Sequence, residues 1–333
     1  MSEKKPAPHG WLILDKPRGL GSTQAVSAVK RILRQGGYAK AKVGHGGTLD
    51  PLAEGVLPIA LGEATKLAGR MLESDKIYDF TVRFGEETST LDTEGEVTVQ
   101  SDHRPTMADI EAVLPRYTGP IEQVPPIYSA ILVDGQRAYD LARAGQDVEM
   151  KTRGVTIHSL DIRHAELIPA SIQPSGQTER QEGWTLKQVQ GDDALRSVTL
   201  TAHVSKGTYI RSLARDIARA LGTVGHVTYL RRVKAGPFTQ AQAISLDKLE
   251  EVAKGASLQD LLLPLEAGLD DIPALHLDPE SAQAVRQGRV LSGMPHADGL
   301  HLARLHDVPV ALMEIEGGTA RVVRGFNLPD VAE

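Results

Sequence analysis

Short apolar segments, interrupted by glycine and proline, limit this chain to a fold of many small strands and helices. Residues 10–17 read as a buried strand that Pro17 stops, because proline cannot donate to a strand ladder. Between Ile77 and Phe84, large apolar side chains recur at every second residue, which is typical of a strand. Between residues 25 and 33, apolar side chains recur at helical spacing instead, and Ser22 or Thr23 can cap the N-terminus of this helix. The mixture predicts an α+β protein rather than a strict βαβ alternation.

The rest of the chain continues this alternation of element types. Helical spacing predicts further helices at residues 63–72, 106–117, 209–221, 246–262 and 279–287. Alternating or apolar runs predict strands at residues 154–167, 198–204, 226–233, 300–305, 308–314 and 319–323. Residues 124–153 mix proline, glycine and charge, which predicts a long functional loop. Residues 171–193 are polar with little periodicity and read as a surface insertion.

The length of 333 residues and the positions of proline and glycine predict two domains. Pro264, Gly268 and Pro273 mark a linker. We therefore place a larger domain at residues 10–263 and a small, mostly β domain at residues 274–333.

Charge is unevenly distributed along this acidic chain, whose net charge is −6 and whose isoelectric point is about 6.0. Residues 16–45 carry seven basic side chains and no acidic one, and residues 203–234 carry seven basic side chains against one aspartate. Two such segments suggest one positive face that attracts polyanions. The alternative is that each is simply a solvated helix face.

Several classes of protein are excluded or disfavoured by what the sequence contains. There is no cysteine, which rules out disulfides and thiolate metal sites and suits a reducing cytoplasm. The N-terminal residues are polar and do not resemble a signal peptide, so we expect no membrane association and a cytoplasmic location. Phosphate-loop, dinucleotide-binding and zinc-protease motifs are missing, so we expect neither a cofactor nor a metal.

A glycine-rich segment, GHGGTLDPLAEGVLP at residues 44–58, is the densest signal for chemistry. Its glycines permit tight backbone paths and close approach to a ligand. Asp50 lies among apolar residues and precedes Pro51, which favours an extended backbone at Asp50. Such a carboxylate either caps a turn or takes part in chemistry, and spacing alone leaves both readings open.

A second signal is Arg211, which we place in the first turn of the helix predicted at residues 209–221. The helix dipole disfavours a cation there, so we expect a partner anion, with Asp50 as the natural candidate. A surface arginine without such a partner is the alternative.

Seven short motifs together resemble the TruB family, the bacterial tRNA pseudouridine-55 synthases. The glycine-rich segment around Asp50 is one of them, and they follow one another in order over about two thirds of the chain. The other six are LDKP at 14–17, GEATK at 62–66, SDKIY at 74–78, PPIYSA at 125–130, KGTYIR at 206–211 and YLRR at 229–232.

The resemblance implies a pseudouridine synthase fold, with a mixed, largely antiparallel sheet flanked by helices and loops. It also implies a cofactor-free isomerase that acts on uridine 55 in the TΨC loop of tRNA. The glycosidic bond at N1 is cut, the uracil is turned, and the bond is remade at C5. Chemistry on a stacked base requires that the base be flipped out of the loop first.

The resemblance also assigns site residues. It implies that Asp50 is the nucleophile, that Tyr78 stacks on the flipped base and transfers a proton, and that Arg211 pairs with Asp50. Without the family pattern, Tyr78 reads as a strand aromatic and Leu230 as a core residue. Further implied substrate-binding residues are Tyr209 and Leu230 at the uracil pocket, His45 in the space left by flipped nucleotides, and Lys16 and Lys66 near RNA phosphate.

The partner that the resemblance implies is tRNA, bound through its TΨC stem-loop. We expect residues 124–153 to clamp it as a thumb-like loop and residues 274–333 to form a small PUA-like RNA-binding domain. We expect a monomer that needs no protein partner. Two other functions stay open: a tRNA folding chaperone without essential catalysis, and a guide-dependent synthase of the same fold.

Overall fold

The computed structural model describes residues 4–129, 131–133, 135–167, 194–255 and 258–328. The insertion predicted at residues 171–193 lies outside the described residues. In the described part of the chain, no helix has the length and apolar character needed to cross a membrane. The α-helices of the described residues are α1 (Ser22–Gln35), α2 (Ala68–Glu73), α3 (Met107–Val113), α4 (Ala138–Arg143), α5 (Ile210–Ala220), α6 (Leu246–Gly255) and α7 (Pro279–Arg286).

The strands are short except in the centre of the chain. They are β1 (Gly10–Lys16), β2 (Val43–His45), β3 (Glu54–Leu61), β4 (Lys76–Phe84), β5 (Glu86–Thr88), β6 (Val97–Gln100), β7 (Gly119–Gln123), β8 (Leu132–Val133), β9 (Gln136–Arg137), β10 (Arg153–Leu167), β11 (Leu195–Val204), β12 (Gly225–Ala235), β13 (Phe238–Thr239), β14 (Ala274–His276), β15 (Leu291–Ser292), β16 (Gly299–Leu305), β17 (Val308–Glu316) and β18 (Thr319–Gly325).

The chain divides into two compact units. The first unit comprises Met1–Leu49, Gly55–Leu72 and Ala235–Glu333, and the second comprises Asp50–Glu54 and Glu73–Lys234. These units differ from the domains expected at residues 10–263 and 274–333, which stay a prediction.

The first unit contains two groups of strands. In one, β1 and β2 each pair antiparallel with β3. In the other, five strands run in the order β14-β16-β17-β18-β15, with β14 parallel to β16 and the remaining neighbours antiparallel. This second group occupies the range in which short C-terminal strands were predicted. Trp11 is fully buried in this unit, and its ring centroid lies 5.2 Å from that of Phe238.

The second unit is organised around strands in the order β12-β4-β11-β10-β7. The pairs β4–β11, β11–β10 and β10–β7 are antiparallel. In β4, Phe80, Val82 and Phe84 are buried, as the alternating pattern predicts. With helices beside these strands, the predicted α+β class with a mixed, largely antiparallel sheet is confirmed.

Three local predictions need correction. The residue that caps α1 is Gly21, because Ser22 is buried and its hydroxyl bonds to the backbone of Leu49 instead. Residues 63–72 form a 3₁₀ turn at Gly62–Leu67 followed by α2, not one helix. The supposed loop at residues 124–153 contains the β8–β9 pair and α4.

Candidate active site

Asp50 and Arg211 form an ion pair in the second unit, as the sequence predicted. Arg211 Nη2 lies 2.8 Å from Asp50 Oδ2. The side chain of Arg211 is only 5% exposed, whereas that of Asp50 is 33% exposed. The Asp50 carbonyl accepts a hydrogen bond from Ala53 N, which closes a tight turn after Pro51. The carboxylate is therefore fixed from its buried side and accessible from the other.

Arg211 is held by more than one partner. Its Nη1 donates to the carbonyl of Thr90 and its Nη2 to the carbonyl of Tyr128, both at 3.0 Å. Its Nη1 also lies 3.4 Å from Oδ2 of Asp92. Several acceptors around one planar guanidinium leave it little freedom to rotate. They also offset the unfavourable position of a cation in the first turn of α5.

Asp92 is a site residue that the sequence did not reveal. It is 1% exposed, and its Oδ1 accepts hydrogen bonds from Thr90 Oγ1 at 2.5 Å and from Glu94 N at 2.9 Å. Its neighbour Leu91 has φ of +63°, a strained conformation for a side chain of this size. The run TLDTEG at residues 90–95 shows a turn-forming composition, but nothing in it points to Arg211.

Tyr209 is the residue just before helix α5 and is anchored through its backbone. The side-chain amide of Gln123, 1% exposed, accepts from Tyr209 N at 2.8 Å and donates to Tyr209 O at 3.1 Å. Burial raises the pKa of the Tyr209 hydroxyl above its ordinary value of 10.0, although the charge of Arg153 opposes this. The hydroxyl therefore stays protonated at neutral pH. The charges of Asp50 and Arg211 also act on this hydroxyl, so Tyr209 lies near the ion pair.

Tyr78 and Leu230 lie on neighbouring strands of the second unit. Tyr78 is partly exposed on β4, opposite Ala202 of β11. Leu230 is 5% exposed on β12, which adjoins β4. The structure thus places both predicted pocket residues on adjoining strands, and their roles at the base stay predictions.

The remaining predicted binding residues belong to the first unit. His45 ends β2, opposite Ile59. Lys66 lies 2.7 Å from Glu63 and donates to the carbonyl of Gly325 at 2.9 Å. Lys16 is fully buried. Its ammonium donates to carbonyls of the turn that follows β1, those of Pro17 and Leu20. These bonds engage the Lys16 ammonium inside the protein, and its expected contact with RNA phosphate stays a prediction.

A basic groove in the first unit gathers much of the positive charge predicted for residues 16–45. It encloses about 870 Å³. The side chains that line this basic groove and could meet a polyanion are Lys4, Lys30, Arg34, Tyr38, Lys40 and Lys42. Cations that line one groove together with a tyrosine are a combination typical of nucleic-acid surfaces.

Comparison with known proteins agrees with this arrangement. Residues 30–210 match the family model described as TruB family pseudouridylate synthase, N-terminal domain. Residues 211–270 match the model of the tRNA pseudouridylate synthase B C-terminal domain. The chain is 62% identical to a protein of Novosphingobium aromaticivorans named tRNA pseudouridine synthase B, over 97% of this chain and 99% of that protein. A protein of Zymomonas mobilis with the same name is 56% identical, over 96% of both chains.

Solved structures show the same fold. One is described as a Cbf5-Nop10-Gar1 complex; it has a TM-score of 0.65 and 25% identity, over 95% of this chain and 84% of that one. Another, an H/ACA RNP bound to a substrate RNA containing 2'-deoxyuridine, has a TM-score of 0.66 and 24% identity, over 97% and 86% of the two chains. The matched family models, the near-full-length relatives and the shared fold lead to one conclusion: this chain belongs to the TruB family of pseudouridylate synthases.

Proposed function

We propose that this tRNA pseudouridine synthase converts uridine 55 of the TΨC loop to pseudouridine, with Asp50 as the nucleophile. The observation that carries the proposal is a carboxylate one third exposed and held at 2.8 Å by a buried guanidinium. An ion pair fixed in this way keeps the carboxylate in one orientation before substrate arrives, which lowers the entropy cost of reaching the transition state. The relatives named tRNA pseudouridine synthase B support tRNA as the substrate.

The reaction needs no co-reactant, because product and substrate are isomers. The bond between N1 and C1′ breaks, a bond between C5 and C1′ forms, C5 loses its hydrogen, and N1 gains one. Asp50 supplies an electron pair, either to C1′ of the ribose or to C6 of the uracil. Tyr78 is the proposed proton-transfer group, and the protonated Tyr209 hydroxyl is a hydrogen-bond donor at the pocket.

Access to the uridine requires that it leave the stack of the RNA loop. Extrusion costs a few kcal/mol. Stacking on an aromatic side chain returns about 1–3 kcal/mol per base, which is the role proposed for the partly exposed Tyr78. His45 is proposed to occupy the space that the flipped nucleotides leave.

The basic groove is the proposed contact for RNA phosphates. Its cations lie on one unit of an acidic chain, so they create a local positive field that the net charge of −6 conceals. Phosphate contacts give affinity rather than sequence selection, and they weaken with salt. We propose that the chain acts alone in the cytoplasm, as a monomer without a guide.

The direct test is Asp50→Asn, measured by tritium release from C5-labelled uridine in a TΨC stem-loop. We expect turnover to vanish while stem-loop binding survives, because the substitution keeps the size of the side chain. Glu54→Gln is the matched control, since Glu54 is also a partly exposed carboxylate paired with an arginine, Arg231, at 3.0 Å. Turnover by Asp50→Asn would refute Asp50 as the nucleophile. Wild-type protein that binds the stem-loop but releases no tritium would instead favour the chaperone function.

The guide-dependent alternative is tested by mapping pseudouridine in total RNA from a deletion strain. This alternative is worth testing because some solved structures of this fold come from H/ACA ribonucleoproteins. We expect loss at a single tRNA position. Widespread loss in ribosomal RNA would instead support a guided enzyme.

A further inference from the structure

Two histidines and an aspartate converge on the surface of the second unit. Asp75 directly precedes β4, His158 lies on β10, and His203 lies on β11. One potential ligand atom from each lies within 4.8 Å of the others. Nε2 of His158 is 3.1 Å from Oδ2 of Asp75, and Nε2 of His203 is 3.8 Å from the same oxygen. We call these three residues the histidine cluster.

Strand register explains why the cluster forms. In the β4–β11 pair, His203 lies opposite Ile77, two residues after Asp75. In the β10–β11 pair, the register shifts between Ile157 and Ser159, so His158 is the additional residue of a β-bulge. A bulge turns a side chain away from its regular direction. Here it leaves the two imidazole rings with centroids 4.6 Å apart.

The spacing of these atoms fits the first coordination shell of a transition metal. Two ligands about 2.0–2.1 Å from a tetrahedral zinc ion lie about 3.3 Å from each other. The distances of 3.1 Å and 3.8 Å to Asp75 bracket that value, and all three ligand atoms lie within 4.8 Å of one another, so side-chain rotations could bring them to that spacing. The three side chains are 37–48% exposed, so water can complete the shell.

We propose that the histidine cluster binds one divalent transition-metal ion, of which Zn²⁺ is the natural probe. Two imidazoles and one carboxylate suit zinc, copper, iron or nickel, whereas magnesium and calcium prefer oxygen ligands alone. The cation whose charge acts on His203 is Lys234, and the carboxylate of Asp75 opposes it.

The metal would have a structural role and would take no part in the proposed catalysis. Successive residues of a strand point to opposite faces. Tyr78 pairs with Ala202, so it points away from the face that Ile77 shares with His203. A metal bound there would link the start of β4 to β10 and β11, and would stabilise the folded unit without touching the RNA base.

The experiment is to titrate the purified full-length protein with Zn²⁺ and to measure binding by calorimetry and by equilibrium dialysis. We expect one ion per chain. Asp75→Asn, His158→Ala and His203→Ala should each weaken binding by about tenfold or more, since even indirect partners of a metal ligand contribute that much. The matched control is His164→Ala, which removes a histidine of the same strand, β10, that lies opposite Thr199.

Thermal unfolding gives a second measurement. At a zinc concentration 100 times the dissociation constant, we expect Tm to rise by roughly 5 °C in wild type and not in His158→Ala. His158→Gln serves if the alanine variant does not fold, as judged by circular dichroism. Wild-type protein that binds no zinc, or cluster variants that bind it as tightly as His164→Ala does, would overturn the proposal. We expect His158→Ala to leave tritium release unchanged. Loss of zinc binding in this variant would then be distinguished from any failure of the proposed catalysis.

Discussion

Replacing Asp92 by Asn tests how the candidate site holds its carboxylate. Asp92 is 1% exposed and lies 3.4 Å from Arg211, so it is too deeply buried to contact RNA directly. Asparagine keeps the volume, and its oxygen can still accept from Thr90 and Glu94, as Oδ1 of Asp92 does. The amide nitrogen then faces the guanidinium, which places a donor against a donor.

The contacts of Arg211 set the magnitude. Loss of a charged hydrogen bond costs about 1.5–3 kcal/mol of unfolding free energy. A larger cost is not expected, because Asp50 and the carbonyls of Thr90 and Tyr128 still compensate the buried cation. A displacement of Asp50 by about 1 Å costs up to about 100-fold in rate. We therefore expect kcat to fall by about 10-fold to 100-fold, which corresponds to about 1.4–2.7 kcal/mol.

The assay is tritium release at saturating and limiting stem-loop concentrations, so that kcat and KM are separated. KM should stay within about threefold of wild type, because a change in preorganisation acts on the chemical step. Glu87→Gln is the control: it breaks a different ion pair of α5, between Glu87 and Arg219 at 2.8 Å. A folded Asp92→Asn enzyme with wild-type kcat would refute the positioning role. A raised KM with unchanged kcat would refute it too, because the substitution would then act on RNA binding, indirectly through Arg211, and not on the chemical step.

Two further predictions concern the first unit. Burial favours the neutral form of Glu63, but hydrogen bonds from Lys66 and Asn327 and the nearby positive charges outweigh it, so the pKa of Glu63 lies below its ordinary 4.5. The ionised Glu63 stabilises the folded state above pH 4.5, and this stabilisation is lost as the pH falls through the lowered pKa. Glu63→Gln should therefore lower the free energy of unfolding by about 1 kcal/mol at neutral pH. It should also make that free energy fall less steeply with decreasing pH in the acid range. In the basic groove, Lys30→Glu combined with Arg34→Glu should weaken tRNA binding and lower the log–log salt slope by about 2, while kcat at saturating tRNA is retained.

Each of these has its own control. For Glu63→Gln, a curve as steep as wild type below pH 4.5 would show that the stabilising contact lies elsewhere. Glu111→Gln, at an exposed position of α3, serves as the matched carboxylate change. For the groove, Lys248→Glu alters an exposed lysine of α6 outside it. An unchanged salt slope in the groove variant would remove the groove from the RNA contact.

Much of the secondary structure was accessible from the sequence, because it depends on neighbours along the chain. The alternation at Phe80, Val82 and Phe84 reports which face of a strand is buried, and the structure agrees. The ion pair of Asp50 with Arg211 was also predicted, since a cation in a first helical turn needs an anion. Element boundaries were less accurate, as at Gly21, where a tertiary hydrogen bond withdrew Ser22 from the cap.

The sequence by itself determined the class of fold and the family, because those signals are local periodicity and contiguous motifs. It offered Asp50 as the natural partner of Arg211, and the family resemblance implied that pair. Only the tertiary structure decided that Asp92 joins Arg211, that the Lys16 ammonium is used inside the protein, and that Asp75, His158 and His203 meet. The physical reason is register. Residues tens of positions apart become neighbours only when strand pairing and bulges, set by packing of the whole unit, align them, and no local pattern encodes that alignment.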